Sequence, residues 1–517
     1  MKKRNSFLHK TLSFSVIYLL PFFLLANNIL VSGVSLIGRN TTADYVQVKF
    51  NLTWNNSFRT SSGPANWDAA WVFVKYKIGA NGVWKHATLS TSGGHNIPTG
   101  GTSTQPSDGK GIFIYQSTNN SGTFLLNNIE LRWNYGTDGV PDESKIYVKV
   151  FAIEMVHVPQ GNFQVGSSGQ NTGEFRQAND VSSTGTATTF TITSATPTLQ
   201  GNNTASSPTN ISTRAGAGND QLTGTTTVAL NADFPTGYNA FYCMKYEISQ
   251  GQYRDFLNTL TYDQQASRTA NAPISSVGTG ALTTSGSSRN GIEIRIQGTS
   301  TGNTLPAVYG CDLSGNNVWD DASDGEWIAC NFLTWNDIAA YLDWAALRPM
   351  TELEYEKACR GNITPVANEC AWGTSSFTAV TSLQNSNQTT ETPTNSSANV
   401  AGFGNPVRVG MFANGSSSRI SSGSSYYGIM DLSGNIWEQV ISIANSHNRA
   451  FTGVVGNGTL ASNGNADATN WPTNATLIGV RGGAFNGTSA NLYVSDRSNI
   501  TVGASSRNLN FGGRGVR

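Results

Sequence analysis

The spacing of the apolar residues changes once along the chain, near residue 154, and this change restricts the folds that the sequence can adopt. Within residues 34–153, Val46, Val48, Phe50 and Leu52 alternate with polar residues, which is the pattern of a strand with one buried face. Further apolar runs follow at 71–78, 111–115, 129–133 and 146–153. Turn residues separate these runs and no helical period occurs, so residues 34–153 are predicted to form an all-β sandwich domain.

After residue 154, apolar residues recur at the spacing of helices. Three helices are predicted to begin after Ser249, Thr334 and Thr351, whose side-chain oxygens can cap a helix N-terminus. Asp337 and Glu354 stand three residues after the last two caps, which resembles a capping box. The predicted buried stripes are Tyr253, Phe256, Leu257 and Leu260 in the first helix and Ile338, Tyr341, Leu342 and Ala345 in the second.

The composition of the 517-residue chain restricts the possible partners. Its 32 basic and 32 acidic residues balance and make up only 12% of the sequence, whereas glycine occurs 55 times. This neutral balance provides no basic footprint for nucleic acid and no polybasic patch for anionic lipid. The length suffices for two or three domains, and polar insertions account for much of it, at about 167–231, 266–303, 374–425 and 444–474.

The N-terminus has the layout of a secretory signal peptide. A basic group, Lys2 to Arg4, precedes an apolar run from about Leu12 to Ala26. Residues 1–33 are therefore predicted to be a signal peptide, and the protein is expected to be exported to the periplasm, the cell surface or the medium. If this segment is not cleaved, it provides a membrane anchor.

Three motifs in the second region resemble one family. Arg348–Glu356 reads RPMTELEYE, Gly428–Glu438 reads GIMDLSGNIWE and Arg481–Phe485 reads RGGAF. They resemble the RLPTEAEWE, GLYDMxGNVWEW and RGGSW signatures of the formylglycine-generating, sulfatase-modifying-factor family, and Glu154–Gly166 and Phe241–Ser249 resemble its first strands. The resemblance implies a bacterial protein in which residues 154–517 form an α+β domain of the C-type-lectin-like fold.

The resemblance also implies a reaction for which this sequence lacks the residues. In the enzymes of the family, a cysteine pair shortly after the arginine-glycine-glycine motif holds a copper ion and carries the oxidation. This chain has Gly487, Leu492 and their neighbours there, from which no thiolate site for a soft metal can be built. Its five cysteines are Cys243, Cys311, Cys330, Cys359 and Cys370. Short-loop disulfides (311 with 330, 359 with 370) and burial as apolar side chains are both open for them.

A calcium site is predicted in the second motif. Asp431, Gly434, Ile436 and Glu438 occupy the positions at which the family binds a structural calcium through two side chains and two backbone carbonyls. Hard oxygen ligands in a tight loop suit this cation. The alternative is that Asp431 caps a turn and Glu438 pairs with a basic residue such as Arg481.

A second candidate calcium loop begins at Asp312. Its spacing follows an EF-hand-like loop, with oxygens from Asp312, Ser314, Asn316, Val318 (backbone) and Asp320. Two departures weaken the pattern, because Asn317 replaces the turn glycine and Ser323 replaces the final glutamate. The alternative is a turn rich in Asp and Asn.

The remaining chemistry-bearing residues support no further site. The five histidines form no metal-binding spacing, and no glycine-rich loop opens an apolar helix to bind phosphate. The tryptophans of the first region could line a glycan-binding face or fill a core. These are Trp54, Trp67, Trp71, Trp84 and Trp133.

The expected function is non-catalytic binding or a structural role, with an unknown protein or glycan as the ligand and calcium as a stabiliser. The C-terminal segment Asn486–Arg517, which is rich in Asn, Ser, Thr and Gly, is expected to form the surface over the family's active cleft. Polar loops on a rigid scaffold are where binding functions collect. The competing class is a metal-dependent oxidase or hydroxylase that uses other residues.

Overall fold

The computed structural model describes residues 28–180, 188–201, 207–214, 222, 227–302, 304–394, 396–400 and 402–517. Within these ranges it contains 24 strands, four α-helices and four short 3-10 helices, which confirms the mixed α+β class. The predicted signal peptide lies mostly outside the described residues, since only 28–33 of its positions are included. None of the helices in the described ranges has the length and apolar character required to cross a membrane.

Most of the first region folds into eight strands. Five of them contain the runs that the sequence predicts, and the other three (β1, β4 and β5) were not expected from the pattern. The strands are Leu30–Asn40 (β1), Tyr45–Arg59 (β2), Asp68–Ile78 (β3), Lys85–His86 (β4), Gly101–Thr104 (β5), Ile112–Gln116 (β6), Asn120–Trp133 (β7) and Ile146–Val158 (β8).

The rest of the chain contains the helices and many short strands. The strands up to the first helix are Phe163–Val165 (β9), Phe175–Gln177 (β10), Phe190–Ile192 (β11), Thr198–Gln200 (β12), Asn210–Thr213 (β13), Thr227–Ala229 (β14) and Phe241–Met244 (β15). Next come Gln250–Leu257 (α1), Tyr262–Arg268 (α2), Ile292–Ile296 (β16), Val308–Cys311 (β17), Trp335–Trp344 (α3), Arg348–Pro349 (β18) and Glu352–Arg360 (α4). The last elements are Leu383–Gln384 (β19), Thr392–Pro393 (β20), Trp437–Val440 (β21), Gly479–Arg481 (β22), Phe511–Gly512 (β23) and Gly515–Val516 (β24).

One eight-stranded sheet contains strands from both regions of the chain. Its strand order is β18-β24-β15-β8-β3-β6-β5, with β4 paired to β3. Strand β8 lies at its centre and pairs antiparallel with β3, from Ile146 opposite Ile78 to Val156 opposite Asp68, and with β15 on its other edge. The boundary expected between residues 153 and 154 falls within β8.

Strand β3 faces two separate hydrophobic cores. Trp71 and Phe73 point into a core that also contains side chains of α1 and α3, whereas Val72 and Val74 point into a core shared with β2 and β7. Strands β1, β2 and β7 form a three-stranded sheet that covers this second core. The layers are thus a small sheet, the central sheet and the helices. A strand that is buried on both faces has a continuous run of apolar residues in its sequence, and residues 69–74 of β3 form such a run.

The three predicted helices are confirmed with their caps. Ser249, Thr334 and Thr351 each accept a hydrogen bond from the third helical residue, and each forms a complete capping box. The sequence interpretation missed α2, which begins after a fourth capping box formed by Thr261 and Gln264. With seven residues and few apolar side chains, α2 has no stripe that a periodicity argument could detect.

Candidate functional site

The first and the last of the three family-like motifs meet in a buried network of charged side chains. Arg481, at the end of β22, donates to Glu352 at 2.9 Å and to Glu356 at 2.8 Å, and all three side chains are fully buried. Glu352 and Glu356 are four residues apart and therefore lie on one face of α4. The arginine of the last motif is thereby fixed by the glutamates of the first.

A second arginine completes the shell around Glu352. Arg497 donates from Nε to Glu352 Oε2 at 2.7 Å and from Nη2 to Glu352 Oε1 at 3.1 Å, and its guanidinium lies 4.4 Å from the centroid of the Phe175 ring. The backbone N–H of Ile443 also donates to Glu352 at 2.8 Å. With all of these donors, the buried carboxylate is compensated in charge and in hydrogen bonding.

The two glycines after Arg481 allow the last motif to approach the second. Gly482 and Gly483 have φ of 87° and 80°, in the left-handed region that favours glycine. A Cβ at Gly482 would lie 2.5 Å from the carbonyl oxygen of Leu432, and the Gly482 carbonyl accepts a hydrogen bond from Gly434 at 2.8 Å. The motif is therefore in direct backbone contact with the predicted calcium loop.

Within that loop, both predicted carboxylate ligands have protein partners. Asp431, at φ 58°, accepts a hydrogen bond from the backbone N–H of Gly410 at 2.5 Å. Glu438 Oε1 forms an ion pair with Arg514 Nε at 2.6 Å. The suggested partner Arg481 is wrong: β21 and β22 place Glu438 opposite Arg481 in register, but the Arg481 side chain is directed to α4.

A third acidic side chain, Glu247, accepts hydrogen bonds from the predicted calcium loop, and the sequence did not single it out. Glu247 accepts hydrogen bonds from the Ile436 backbone N–H at 3.1 Å and from Asn435 Nδ2 at 2.5 Å. Burial, followed by the charges of Asp431 and Glu438, raises the pKa of Glu247 well above its usual range. Burial likewise raises the pKa of Asp431 and of Glu438.

The donor set of this loop suits a hard cation. The charges of Asp431 and Glu438 raise the pKa of Glu247, with Arg514 and Arg408 as the nearby counter-charges. Glu438 Oε2 is buried without a hydrogen-bond partner among the described residues. The ligands would be Asp431 and Glu438 with the carbonyls of Gly434 and Ile436. No group of three or more His, Cys, Asp or Glu side chains in the described ranges is arranged to hold a metal, so such a site depends on its backbone oxygens.

The loop that begins at Asp312 satisfies its own polar groups. Asp312 accepts hydrogen bonds from Ser314 Oγ and from the N–H groups of Asn316 and Asn317, at 2.9–3.2 Å. Asn317 has φ of 61°, so it takes the conformation for which the loop would otherwise use glycine. These contacts are those of the alternative, a turn rich in Asp and Asn.

Two of the remaining predicted ligands of that loop, Asp320 and Asn316, have hydrogen-bond or ion-pair partners of their own. Asp320 accepts from the Cys311 N–H at 2.8 Å and pairs with Arg254 at 2.5 Å, while the Val318 side chain is exposed. Asn316 Oδ1 accepts from the Val318 N–H at 2.7 Å. The ninth-position carboxylate is therefore bound to a guanidinium outside the loop.

None of the five cysteines is positioned for chemistry. All are buried and free of disulfides, so the short-loop disulfides are absent and the apolar alternative describes them. Burial raises the pKa of every one of these thiols, to about 12 for Cys359 and Cys370. Leu492, which follows the arginine-glycine-glycine motif, packs with Cys370 in a small hydrophobic cluster.

The tryptophans of the first region do not form one binding face. Trp54 and Trp133 lie in the core under the small sheet, and Trp71 lies in the core on the opposite face of the central sheet. Trp67 stacks on His157 with ring centroids 4.0 Å apart, and two lysine ammonium groups lie near the Trp84 ring. The core interpretation therefore describes Trp54, Trp71 and Trp133, and half-buried Trp67 packs against the core that contains Trp71.

The C-terminal segment is held by arginines and exposes small polar residues. Besides Arg481 and Arg497, Arg507 pairs with Asp337 at 2.5 Å, and Arg514 is fully buried. Between these anchors the chain turns outward, and its exposed positions are Asn486, Thr488, Ser489, Ala490, Val502, Ser505, Ser506 and Asn508. This arrangement is a rigid base with short exposed loops.

The comparisons with known proteins agree with these motifs. A search of curated proteins finds no match. Residues 147–517 match the model of the sulfatase-modifying factor enzyme 1-like domain, FGE-sulfatase. Because this match covers more than half of the chain and contains the network of Arg481, Glu352 and Glu356, the chain belongs to the sulfatase-modifying factor family.

Proposed function

We propose that this member of the family is an exported, non-catalytic binding or structural protein whose ligand is a protein or a glycan. The observation that supports this proposal is the segment after Arg481. It is fixed by buried arginines, it exposes Asn, Ser and Thr, and it has Gly487 and Leu492 where the family's enzymes have thiols. Copper chemistry of the family type requires thiolates, and the five thiols of this chain are buried elsewhere with raised pKa values.

The fold of residues 154–517 is proposed to be the C-type-lectin-like fold, with residues 34–153 as an accompanying β-sandwich. In support, the small sheet of β1, β2 and β7 packs over one face of the central sheet around a shared core. On this scaffold, the loops 486–490 and 505–508 are the surface at which we place the ligand, because exposed loops on a rigid base carry most binding sites.

Calcium is proposed as a structural cofactor at Asp431, Gly434, Ile436 and Glu438. The negative charge of Glu438 supports it, because Oε2 is buried without a hydrogen-bond partner among the described residues. The cation would neutralise this charge and hold the loop against the Arg481 motif. It would supply no redox chemistry.

The proposal is tested by asking whether the purified protein oxidises a cysteine-containing sulfatase peptide in the presence of copper. We expect no formylglycine product by mass spectrometry under conditions in which a copper-loaded catalytic family member converts the peptide. Robust turnover would refute the non-catalytic function and favour the competing oxidase or hydroxylase.

Metal analysis of the same sample separates the two classes independently. Calcium without stoichiometric copper or iron is expected for the binding protein. Stoichiometric copper or iron would instead favour the competing oxidase or hydroxylase and would contradict the proposed binding function.

A further inference from the structure

Three buried charged side chains meet where β3, β8 and β15 lie side by side. Asp68 begins β3, Glu154 lies within β8, and Lys245 follows β15 directly. Their exposed fractions are 0%, 2% and 4%. Lys245 Nζ lies 2.8 Å from Asp68 Oδ2 and 3.3 Å from Glu154 Oε2. The amine of Lys245 is therefore held away from water, in contact with the carboxyl group of Asp68 and within reach of that of Glu154.

The two oxygens of Asp68 have different surroundings. Oδ1 accepts hydrogen bonds from Ser57 Oγ at 2.8 Å and from the Phe58 backbone N–H at 2.9 Å. Oδ2 is the oxygen in contact with Lys245 Nζ, and it also accepts from Trp54 Nε1 at 3.2 Å. Two fixed donors on one oxygen and a nitrogen nucleophile beside the other are the requirements for acyl transfer at the carbon between them.

We propose that Lys245 and Asp68 react to form an intramolecular isopeptide bond, with Glu154 as the proton carrier. Glu154 accepts a proton from the Lys245 ammonium and passes it to Asp68 Oδ2, and the free amine then attacks Cγ of the neutral carboxyl group. Negative charge on Oδ1 is stabilised by Ser57 and Phe58. The new C–N bond forms, the bond from Cγ to Oδ2 breaks, and Oδ2 leaves as water with two protons, both of which Glu154 carries from Nζ. The carboxylate of Glu154 is regenerated, and no oxidant or co-reactant is consumed.

The pKa of Glu154 agrees with its role, whereas the pKa of Lys245 opposes release of the free amine. Burial raises the pKa of Glu154 to about 7, which suits a group that takes and returns a proton near neutral pH. Burial lowers the pKa of Lys245, but the charges of Asp68, Tyr246 and Glu154 outweigh burial and raise it. The ammonium is therefore the resting form, and the amine arises by transfer to Glu154. Because the reaction occurs once per molecule between groups fixed at contact distance, a small population of free amine suffices.

The bond would connect two parts of the chain that are 177 positions apart. Asp68 begins β3 and Lys245 follows β15, and these two strands flank β8 on opposite sides, so the bond would span the centre of the sheet. A closed covalent loop of this length restricts the unfolded chain. In an exported protein, such a bond could replace the disulfides that this chain does not form.

The test is the intact mass of the denatured full-length protein. We expect a mass lower than that of the unmodified polypeptide by one water molecule. Trypsin cuts after free lysine but not after an amidated one, so it should also yield a branched peptide that joins residues 60–75 to residues 215–254. If the mass equals that of the unmodified polypeptide after prolonged incubation of the folded protein, the three residues form ion pairs and no covalent bond. This result would overturn the proposal.

Variants separate this bond from other dehydrations. Lys245→Arg and Asp68→Ala should show the full mass, and so should Glu154→Gln, which keeps both reacting groups and removes the proton carrier. The control is Lys357→Arg, because Lys357 Nζ donates only to backbone carbonyls in the contacts described for it, and this variant should still lose one water. Loss of water that persists in Lys245→Arg would overturn the proposal even if every variant folds poorly, since the mass of the linear chain does not depend on folding.

Discussion

Arg481 and Glu352 are 129 positions apart in the sequence, yet their side chains form a fully buried ion pair of 2.9 Å. Removing one partner from such a pair leaves an uncompensated charge, which costs far more than the pair itself contributes. We expect Arg481→Gln to lower the free energy of unfolding by about 3–5 kcal/mol, measured by denaturant titration.

The matched control for this substitution is Arg39→Gln. Arg39 pairs with Asp142 at 3.1 Å, but the two side chains are 46% and 38% exposed, so little change in the unfolding free energy is expected. Equal losses in both variants would show that the Arg481 network is no more important for stability than a surface pair.

Gly482 and Gly404 share a left-handed backbone but differ in their surroundings. Alanine at Gly404, where φ is 79° and a Cβ would meet nothing within 4 Å, should cost only the conformational strain of about 1–2 kcal/mol. Gly482→Ala adds a collision with the Leu432 carbonyl and should cost more, about 3 kcal/mol or above. Thermal unfolding of both variants measures the difference, and identical melting points would refute the close approach of these two motifs.

The stability of the protein should depend on pH through His157. Burial, with a contribution from the charge of Lys357, lowers the pKa of His157 to about 4, whereas unfolded histidine titrates near 6.5. Between these values the unfolded state binds the additional proton, so the free energy of unfolding falls as the pH falls from 6.5 to 4. With a discount for the partial exposure of the ring, the loss is about 2 kcal/mol.

This pH dependence is measured as the difference between the stability profiles of the wild type and His157→Phe, a variant that can retain the stacking on Trp67. Taking the difference removes the contributions of other acidic groups. The wild type should lose stability relative to the variant below pH 6.5, and parallel profiles would contradict the lowered pKa.

The thiols should be unreactive in the folded protein. All five cysteines are buried, and burial raises their pKa values, so a thiol reagent at neutral pH should label none of them quickly. In denaturant without reductant, five thiols should react. Fewer than five would indicate disulfides that the structure lacks, and fast labelling of the native protein would contradict the burial.

Chelation should destabilise the calcium-loaded protein. Because a site that uses backbone carbonyls exists only in the folded chain, calcium at 100 times its dissociation constant would contribute about 2.7 kcal/mol. For a domain of this size, that corresponds to a shift of a few degrees in melting temperature. Asp431→Asn should abolish the response to chelator, whereas Asp320→Asn in the other loop should retain it.

Asp431→Asn is a better probe than a substitution at Glu438, because Glu438 also holds Arg514 and its loss would destabilise the protein with or without calcium. A melting curve unchanged by chelator, in a sample shown to contain calcium, would leave Asp431 as a turn residue that accepts the Gly410 hydrogen bond.

The sequence predicted those features that are determined locally. The caps Ser249, Thr334 and Thr351 lie next to the helices that they start, and β2 and β8 show their alternation directly. By contrast, the partner of Glu438 is 76 positions away and that of Lys245 is 177 positions away. Such pairs depend on which strands become neighbours, and a single sequence does not contain this information.

One signal could have identified part of what was missed. Asp68, Glu154 and Lys245 are isolated charges beside or within strongly apolar strands, and a charge in such a place must be paired if it is buried. Two of these residues are acidic and one is basic, and they belong to or adjoin three different strands, β3, β8 and β15. If all three are buried, they must pair with one another, which indicates that the three strands lie close together. The pattern does not indicate which of them are adjacent.

The boundary of the family match does not coincide with the boundary of the sheet around β8. The family match begins at residue 147, one residue into this strand, while β3, which pairs along its length, lies wholly outside the match. A chain cut at that point would keep the β15 edge of β8 but leave the opposite edge open, a row of unpaired backbone groups that invites association with other chains. Recombination that moved residues 147–517 alone into another protein would therefore transfer a recognisable sequence without a self-sufficient fold, unless the new neighbour supplied a strand in place of β3.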